Sequence, residues 1–176
     1  MNASRLFSCL SACLVIALSA RAQQPAPNPA AASCGSTPAN FTVKRQFDSN
    51  SPIQPPPGKA LVYLIESTYD IPMVNKKVNI GLDGSWIAAT DANSHISFTV
   101  DPGVHHLCAA WDSHAFMSDE SQTLLLRLNA EAGHIYYLSY RALLTQPGMA
   151  FFQPVDDDDG PFLVQRTEVA TSTLKK

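Results

Sequence analysis

The feature that most restricts the fold of this chain is a period-two alternation of apolar residues between closely spaced turn signals. Val78, Ile80 and Leu82 alternate with Lys77, Asn79 and Gly81, and Ile96, Phe98 and Val100 alternate with His95, Ser97 and Thr99. Successive side chains of a strand leave on opposite faces, so each run reads as a strand with one face in a core and the other toward water. Leu61 to Ile65 (LVYLI) is apolar at every position and reads as a central strand buried on both faces. Asp83-Gly84, ahead of Ser85 to Ala89, is a two-residue hairpin signal. Asp101-Pro102-Gly103 leads into Val104 to Trp111. Its proline presets the first central φ, and its glycine tolerates the positive φ that a type II turn needs next. Glu131-Ala132-Gly133 and Gln146-Pro147-Gly148 punctuate two later strands, Ile135 to Leu144 and Met149 to Pro154. Short strands between frequent turns predict an all-β domain rather than βαβ units. The expected form is a small antiparallel β-sandwich, immunoglobulin-like or prealbumin-like, or a partly open barrel.

Two segments leave alternatives. Thr123 to Ala130 (TLLLRLNA) contains good helix formers, and Leu124, Leu125 and Leu128 fit one helical face. Leu124, Leu126 and Leu128 equally fit one strand face, and the surrounding pattern favours strand. Beyond Asp156 to Asp159, Gly160 to Thr167 could be a strand or a short C-terminal helix. Ser172 to Lys176 is expected to fray.

The N-terminal third reads as address and tether. Arg5 precedes an apolar run from Leu6 to Ala20, and Ala20-Arg21-Ala22 ahead of Gln23 is an A-x-A cleavage site. The run is shorter than the roughly 20 residues a membrane-spanning helix needs. Residues 1–22 are therefore expected to be a cleaved signal peptide. The alternative is a lipoprotein box, Leu10-Ser11-Ala12-Cys13, with the chain anchored through Cys13. Against it, only Leu6 to Cys9 precede the box, and Leu14 to Leu18 would remain as an apolar segment. Residues 23–33 have three prolines and no charge and read as an extended linker, and Phe41 to Arg45 could be a short first strand. Residues 51–58 contain four prolines, which excludes helix or central strand. The division is signal peptide 1–22, Pro/Ala-rich linker with a short first strand 23–57, a single β domain 58–170 and a tail 171–176.

Export has consequences for charge and cysteine. Only 15% of residues are charged, against about 25% in typical soluble domains, which suits an exported β protein. The chain carries −3; losing residues 1–22 removes Arg5 and Arg21 and no acid, leaving −5. That gives no electrostatic footprint for nucleic acid or anionic lipid. Cys9 and Cys13 leave with the signal. Cys34 and Cys108 remain as an even pair in an oxidising periplasmic or extracellular setting, so one structural disulfide is expected. Cys108 shares a strand face with His106 and Ala110, which leaves room for an incoming backbone. Prolines 52 and 55–57 would let the intervening chain run extended around the domain edge.

No catalytic constellation emerges. His105 and His106 are adjacent on a strand and leave on opposite faces, and no HxH or HExxH pattern exists. His95 and His106 could meet across neighbouring strands, although such pairs are usually solvated. Asp156 to Asp159 followed by Gly160 resembles a calcium loop. Counted from Asp157 the sixth position is Phe162 rather than glycine, so the EF-hand pattern fails even with Glu168 at the twelfth. GxSxG, GxGxxG and Walker patterns are absent, and Asp112-Ser113-His114 adjacency does not make a triad. Glu66, Asp70, Asp83 and Asp91 could supply a carboxylate pair for glycoside hydrolysis, but any β domain has edge carboxylates. Trp86, Trp111, Tyr136, Tyr137 and Tyr140 could form a sugar-stacking platform, but aromatics also fill the core of a small sandwich. No catalytic, cofactor-binding or metal-binding residue is assigned.

Four segments carry a resemblance: PPPGKALVYLIE at Pro55 to Glu66, NIGLDGSW at Asn79 to Trp86, VDPGVHHLCAAWDS at Val100 to Ser113, and AEAGHIYY at Ala130 to Tyr137. They resemble, in order, an uncharacterised bacterial family, the domain-of-unknown-function family numbered twenty-eight forty-six. The likeness covers roughly residues 34–170, and Cys34-Gly35 with Cys108 resembles an acidobacterial variant. The resemblance implies an exported protein or lipoprotein of β fold, with no catalytic residue to carry over. The strand and turn order is also similar, as a fold analogy, to the small sandwiches called PEGA domains. The expected function is a non-enzymatic envelope module that binds a protein or glycan. The alternatives are a periplasmic inhibitor-like protein acting through a protruding loop, Asp112 to Gln122, and a small hydrolase with an edge carboxylate pair.

Overall fold

The computed structural model describes residues 34–35, 39–47, 54–67, 77–113, 120–142 and 150–175. The signal segment, Cys13, the cleavage site at Ala20, Ala22 and Gln23, and linker residues 23–33 lie outside the described residues. In chain order the elements are β1 (Phe41–Gln46), β2 (Ala60–Glu66), β3 (Val78–Leu82), β4 (Ser85–Thr90), β5 (Ser94–Val100), β6 (Gly103–Ser113), β7 (Glu120–Ala130), β8 (Ile135–Ala142), β9 (Ala150–Val155), α1 (Asp159–Arg166) and β10 (Glu168–Leu174). One sheet has the order β1-β10-β5-β2-β8-β9, the other β4-β3-β6-β7. This is the expected all-β sandwich with a short helix near the C-terminus, and neither sheet closes into a barrel.

The purely antiparallel expectation is corrected in the six-stranded sheet. There β2 runs parallel to β8, and β10 runs parallel to the start of β5. Parallel neighbours need a long crossover. The excursion of β3, β4, β6 and β7 into the other sheet supplies it, returning the chain to the side of β2 in the same direction as it left. The Pro102-Gly103 turn is accordingly a corner between sheets, carrying the chain from β5 in one to β6 in the other.

The composition of β2 follows from its two neighbours. Val62 and Leu64 face the four-stranded sheet and join Ile96, Val100 and Leu138 against Val78, Ile80, Leu107, Ala109 and Leu128. Leu61, Tyr63 and Ile65 face the other way and pack with Tyr137, Ile135, Val155 and the α1 residues Leu163 and Val164. Every residue of β2 is buried. Burying one such aliphatic side chain contributes about 1.5–3 kcal/mol.

The segment Thr123 to Ala130 lies within β7. Leu124, Leu126 and Leu128 pack on the core between the sheets, and Leu125 points outward. Pairing along the whole of β6 satisfies the backbone, which outweighs local helix propensity. The same ladder corrects the expected loop Asp112 to Gln122. Asp112 and Ser113 belong to β6 and pair with Ser121 and Glu120 of β7, leaving 114–119 outside the described residues.

Of the two alternatives for Gly160 to Thr167, the helix forms, as α1, and a strand follows it. α1 has Asp159 in its first turn and Arg166 in its last, the charge order a helix dipole favours. β10 follows, and the expected frayed tail is corrected: Ser172, Thr173 and Leu174 pair with Val43, Thr42 and Phe41. Partnering with β1 gives these residues the ladder bonds that a free tail lacks. On the outer face of the four-stranded sheet, Cys34 is bonded to Cys108 with Cα atoms 5.3 Å apart, which places the expected disulfide. The incoming chain is held further by Asn79 Nδ2 donating to the Ala39 carbonyl at 2.8 Å and by Lys77 Nζ donating to Asn40 Oδ1 at 3.1 Å.

Candidate functional site

The two ends of the sandwich differ. At one end lie the tight turns: Asp83-Gly84, the corner at Asp101 to Gly103, and Glu131 to Gly133, beside the paired starts of β2 and β8. Asp83 and Gly84 have φ of 48° and 85°, as a type I′ hairpin requires. At the other end, Glu66 stands opposite both Ser94 and Tyr140, Ser113 opposite Glu120, and Ala142 opposite Ala150. The connections 67–77, 114–119 and 143–149 all leave from this second end.

Glu66 is the chemically unusual residue there. It ends the most buried strand and is only 3% exposed. A buried carboxylate costs several kcal/mol unless hydrogen bonds replace its water. Thr90 Oγ1 donates to Glu66 Oε2 at 2.9 Å, reaching across from the facing sheet. Tyr140, its register partner, has its hydroxyl pKa pushed up, first by burial and then by the Glu66 charge. Ser67 Oγ, next in the chain, is buried without a hydrogen-bond partner. At the nearby rim Arg45 Nη1 donates to the Ala92 carbonyl, and Arg45 Nε faces Glu168 at 3.5 Å and Asp91 at 3.9 Å. The sequence hint at Glu66 is that an ionisable side chain closes an otherwise apolar run. Its partner Thr90 had no such signal.

Among the described residues, Glu66, Asp83 and Asp91 are hydrogen-bonded to different partners. Asp83 lies at the tight-turn end, away from Glu66. Asp91 turns to Arg45 and accepts from the Ala92 N–H at 2.9 Å. Asp70 lies outside the described residues. His95 and His106 are also separated. His95 is in the six-stranded sheet and His106 in the four-stranded one, which corrects the idea that they meet across neighbouring strands. His95 is buried on the helix side rather than solvated, with Nδ1 2.9 Å from Thr167 Oγ1. Thr167 in turn donates to the Leu163 carbonyl, joining the end of α1 to the sheet. His105 is clamped between two acceptors, Asp83 Oδ2 and the Asp101 carbonyl, each 2.7 Å away.

The described aromatic side chains weighed for a sugar platform make packing contacts. Tyr137 and Tyr140 are buried, and Tyr136 is partly buried against the main core. Tyr63 and Tyr137 stack with centroids 5.4 Å apart, and Trp86 lies on Gly35. Trp111 belongs to β6, and its side chain lies outside the described part of the structure. A groove of about 380 Å³ runs between β8, β9 and α1, lined by Ser139, Gln153, Asp156, Asp159, Phe162 and Leu163. Asp156 to Asp159 are all exposed. Among the described residues no three His, Cys, Asp or Glu side chains converge as metal ligands would.

Comparison with protein-family models, with curated proteins and with solved structures finds no match for this chain.

Proposed function

We propose that this protein is an exported, non-enzymatic binding module of the cell envelope that recognises a protein or glycan through the Glu66 end of its sandwich. The observation that carries this reading is the grouping of the connections 67–77, 114–119 and 143–149 at one end of a two-sheet scaffold whose other end is closed by tight turns. Recognition segments on a rigid β scaffold commonly have this arrangement. The Cys34–Cys108 bond supports an oxidising compartment, periplasmic or extracellular. Among the described residues no helix is long and apolar enough to cross a membrane. The resemblance to the exported domain-of-unknown-function family supports the same placement, and anchoring through Cys13 is the variant that mass spectrometry of the exported form decides.

The β6–β7 hairpin favours the inhibitor-like form of this reading. Its ladder runs unbroken from Gly103–Ala130 to Ser113–Glu120, and 114–119 connect the two strands from there. The test is affinity capture from envelope extract, with glycans assayed in parallel, using the mature disulfide-bonded chain. Replacing 114–119 by a Gly/Ser segment should abolish capture, while replacing Glu131 to Gly133 at the opposite end should leave it intact. Capture that survives the first change and is lost on the second would overturn the assignment of the recognition end. Inhibition of an envelope hydrolase by the captured complex would select the inhibitor-like form.

A further inference from the structure

The tight-turn end contains a histidine whose surroundings admit one protonation state. His105 Nδ1 is 2.7 Å from Asp83 Oδ2, and Nε2 is 2.7 Å from the Asp101 carbonyl oxygen. A carboxylate and a carbonyl only accept hydrogen bonds, and a neutral imidazole carries a single N–H. Both bonds together therefore require the imidazolium. The carboxylate is aimed by its own hairpin: Asp83 Oδ1 accepts the His106 backbone N–H at 2.8 Å, and the Asp83 N–H donates to the His106 carbonyl at 3.0 Å.

We propose that His105 is a pH-operated latch that ties the Asp83-Gly84 hairpin to the corner at Asp101 to Gly103 while protonated and releases the corner when it loses its proton. The site lies away from the proposed recognition end and stands independently of that reading. On deprotonation the remaining proton stays on Nδ1, where its bond to a carboxylate is charge-assisted. Nε2 then presents a lone pair to the Asp101 carbonyl, and that bond is lost. The corner matters because it is where the chain passes from β5 in the six-stranded sheet to β6 in the four-stranded one.

Among the described residues, the charged and titratable groups around the ring are few. Asp83 faces it from the β3–β4 turn and Asp101 from the corner. The Asp101 carboxylate is held by Lys59 Nζ at 2.6 Å, from the segment before β2. His106 follows on the same strand and acts on Asp83, and β7 offers apolar Leu128 opposite in register. The His105 side chain is 16% exposed, so solvent protons reach it. Burial works against its charge, but the hydrogen bonds to Asp83 and Asp101 and the charges of both carboxylates outweigh it and raise its pKa above the ordinary 6.5.

The test is NMR on the mature, disulfide-bonded chain. At pH 6 both ring nitrogens of His105 should show imidazolium shifts, and the ring should titrate above 6.5. Amide protection factors at Gly103 to His105, corrected for base-catalysed exchange, should fall about two- to tenfold as the proton leaves, the range expected for one hydrogen bond. Protection at Val62 and Leu64 in β2 should stay constant, marking the opening as local. Asp83→Asn should lower the His105 pKa and move the protection change with it. A single neutral tautomer at pH 6, or protection at the corner that ignores the His105 titration, would overturn the proposal.

Discussion

The Tyr137 ring lies so close to Gly160 that a Cβ at position 160 would overlap it. The first turn of α1 thus sits directly on the Tyr63–Tyr137 stack, and Leu163 and Val164 complete the contact. Gly160→Ala should lower stability by about 1–3 kcal/mol through overpacking, despite the better helix propensity of alanine. Urea denaturation checks this. Adding Tyr137→Leu to Gly160→Ala should cost less than the sum of the two single changes, because the smaller side chain relieves the overlap.

The Cys34–Cys108 bond spans a sequence separation of 74 residues. Replacing both cysteines by alanine should cost about 2–4 kcal/mol. The loss acts largely through the unfolded chain, which gains freedom. Titration of the denatured, unreduced protein should find no free thiol from this pair, and two per chain would contradict the bond.

Thr90→Val removes the hydroxyl that donates to buried Glu66 while keeping the side-chain volume. A hydrogen bond to a charged group contributes about 1.5–3 kcal/mol, and that is the expected loss. Thr90→Ser keeps the donor and should lose less. Equal destabilisation by both variants in chemical denaturation would show that packing, not the hydrogen bond, accounts for the effect.

The Asp83–His105 pair predicts a stability maximum in mildly acidic solution. Burial opposes the Asp83 charge, but the His105 hydrogen bond, the His106 N–H and the charges of both histidines hold its pKa below the ordinary 3.8. Its contribution is present above 3.8 and is lost as pH falls through the lower, folded value. His105 is shifted upward, so its contribution is present below 6.5 and is lost as pH rises through the raised value. Both act fully between about 3.8 and 6.5. Because Asp83 is partly exposed, Asp83→Asn should cost only about 0.5–1 kcal/mol in that window. The difference from the parent chain should shrink on either side of it, as followed by urea midpoints against pH.

Much of the fold was legible because strand periodicity is a local property. Alternation at Val78 to Leu82 and Ile96 to Val100, the double-faced apolar run of β2 and the Asp83-Gly84 hairpin each follow from backbone geometry within a few residues. The cysteine pairing was legible for a different reason, since Cys34 and Cys108 are the two cysteines beyond the expected signal segment. What the tertiary structure alone decided depends on contacts between segments far apart in sequence. The parallel pairing of β2 with β8 arises from where the five intervening strands, four of them in the other sheet, find their partners. The helix at Asp159 to Arg166 packs Gly160, Leu163 and Val164 against residues of β2 and β8, contacts that lie far away in sequence. His95 sits in an alternating pattern that predicts exposure, yet α1 covers its face and Thr167 supplies its hydrogen bond. Glu66 and Thr90, and likewise His105 with Asp83 and Asp101, meet only when turns and strand ends distant in sequence are brought together, because the free energy of burying a charge or a ring depends on neighbours that no local pattern records.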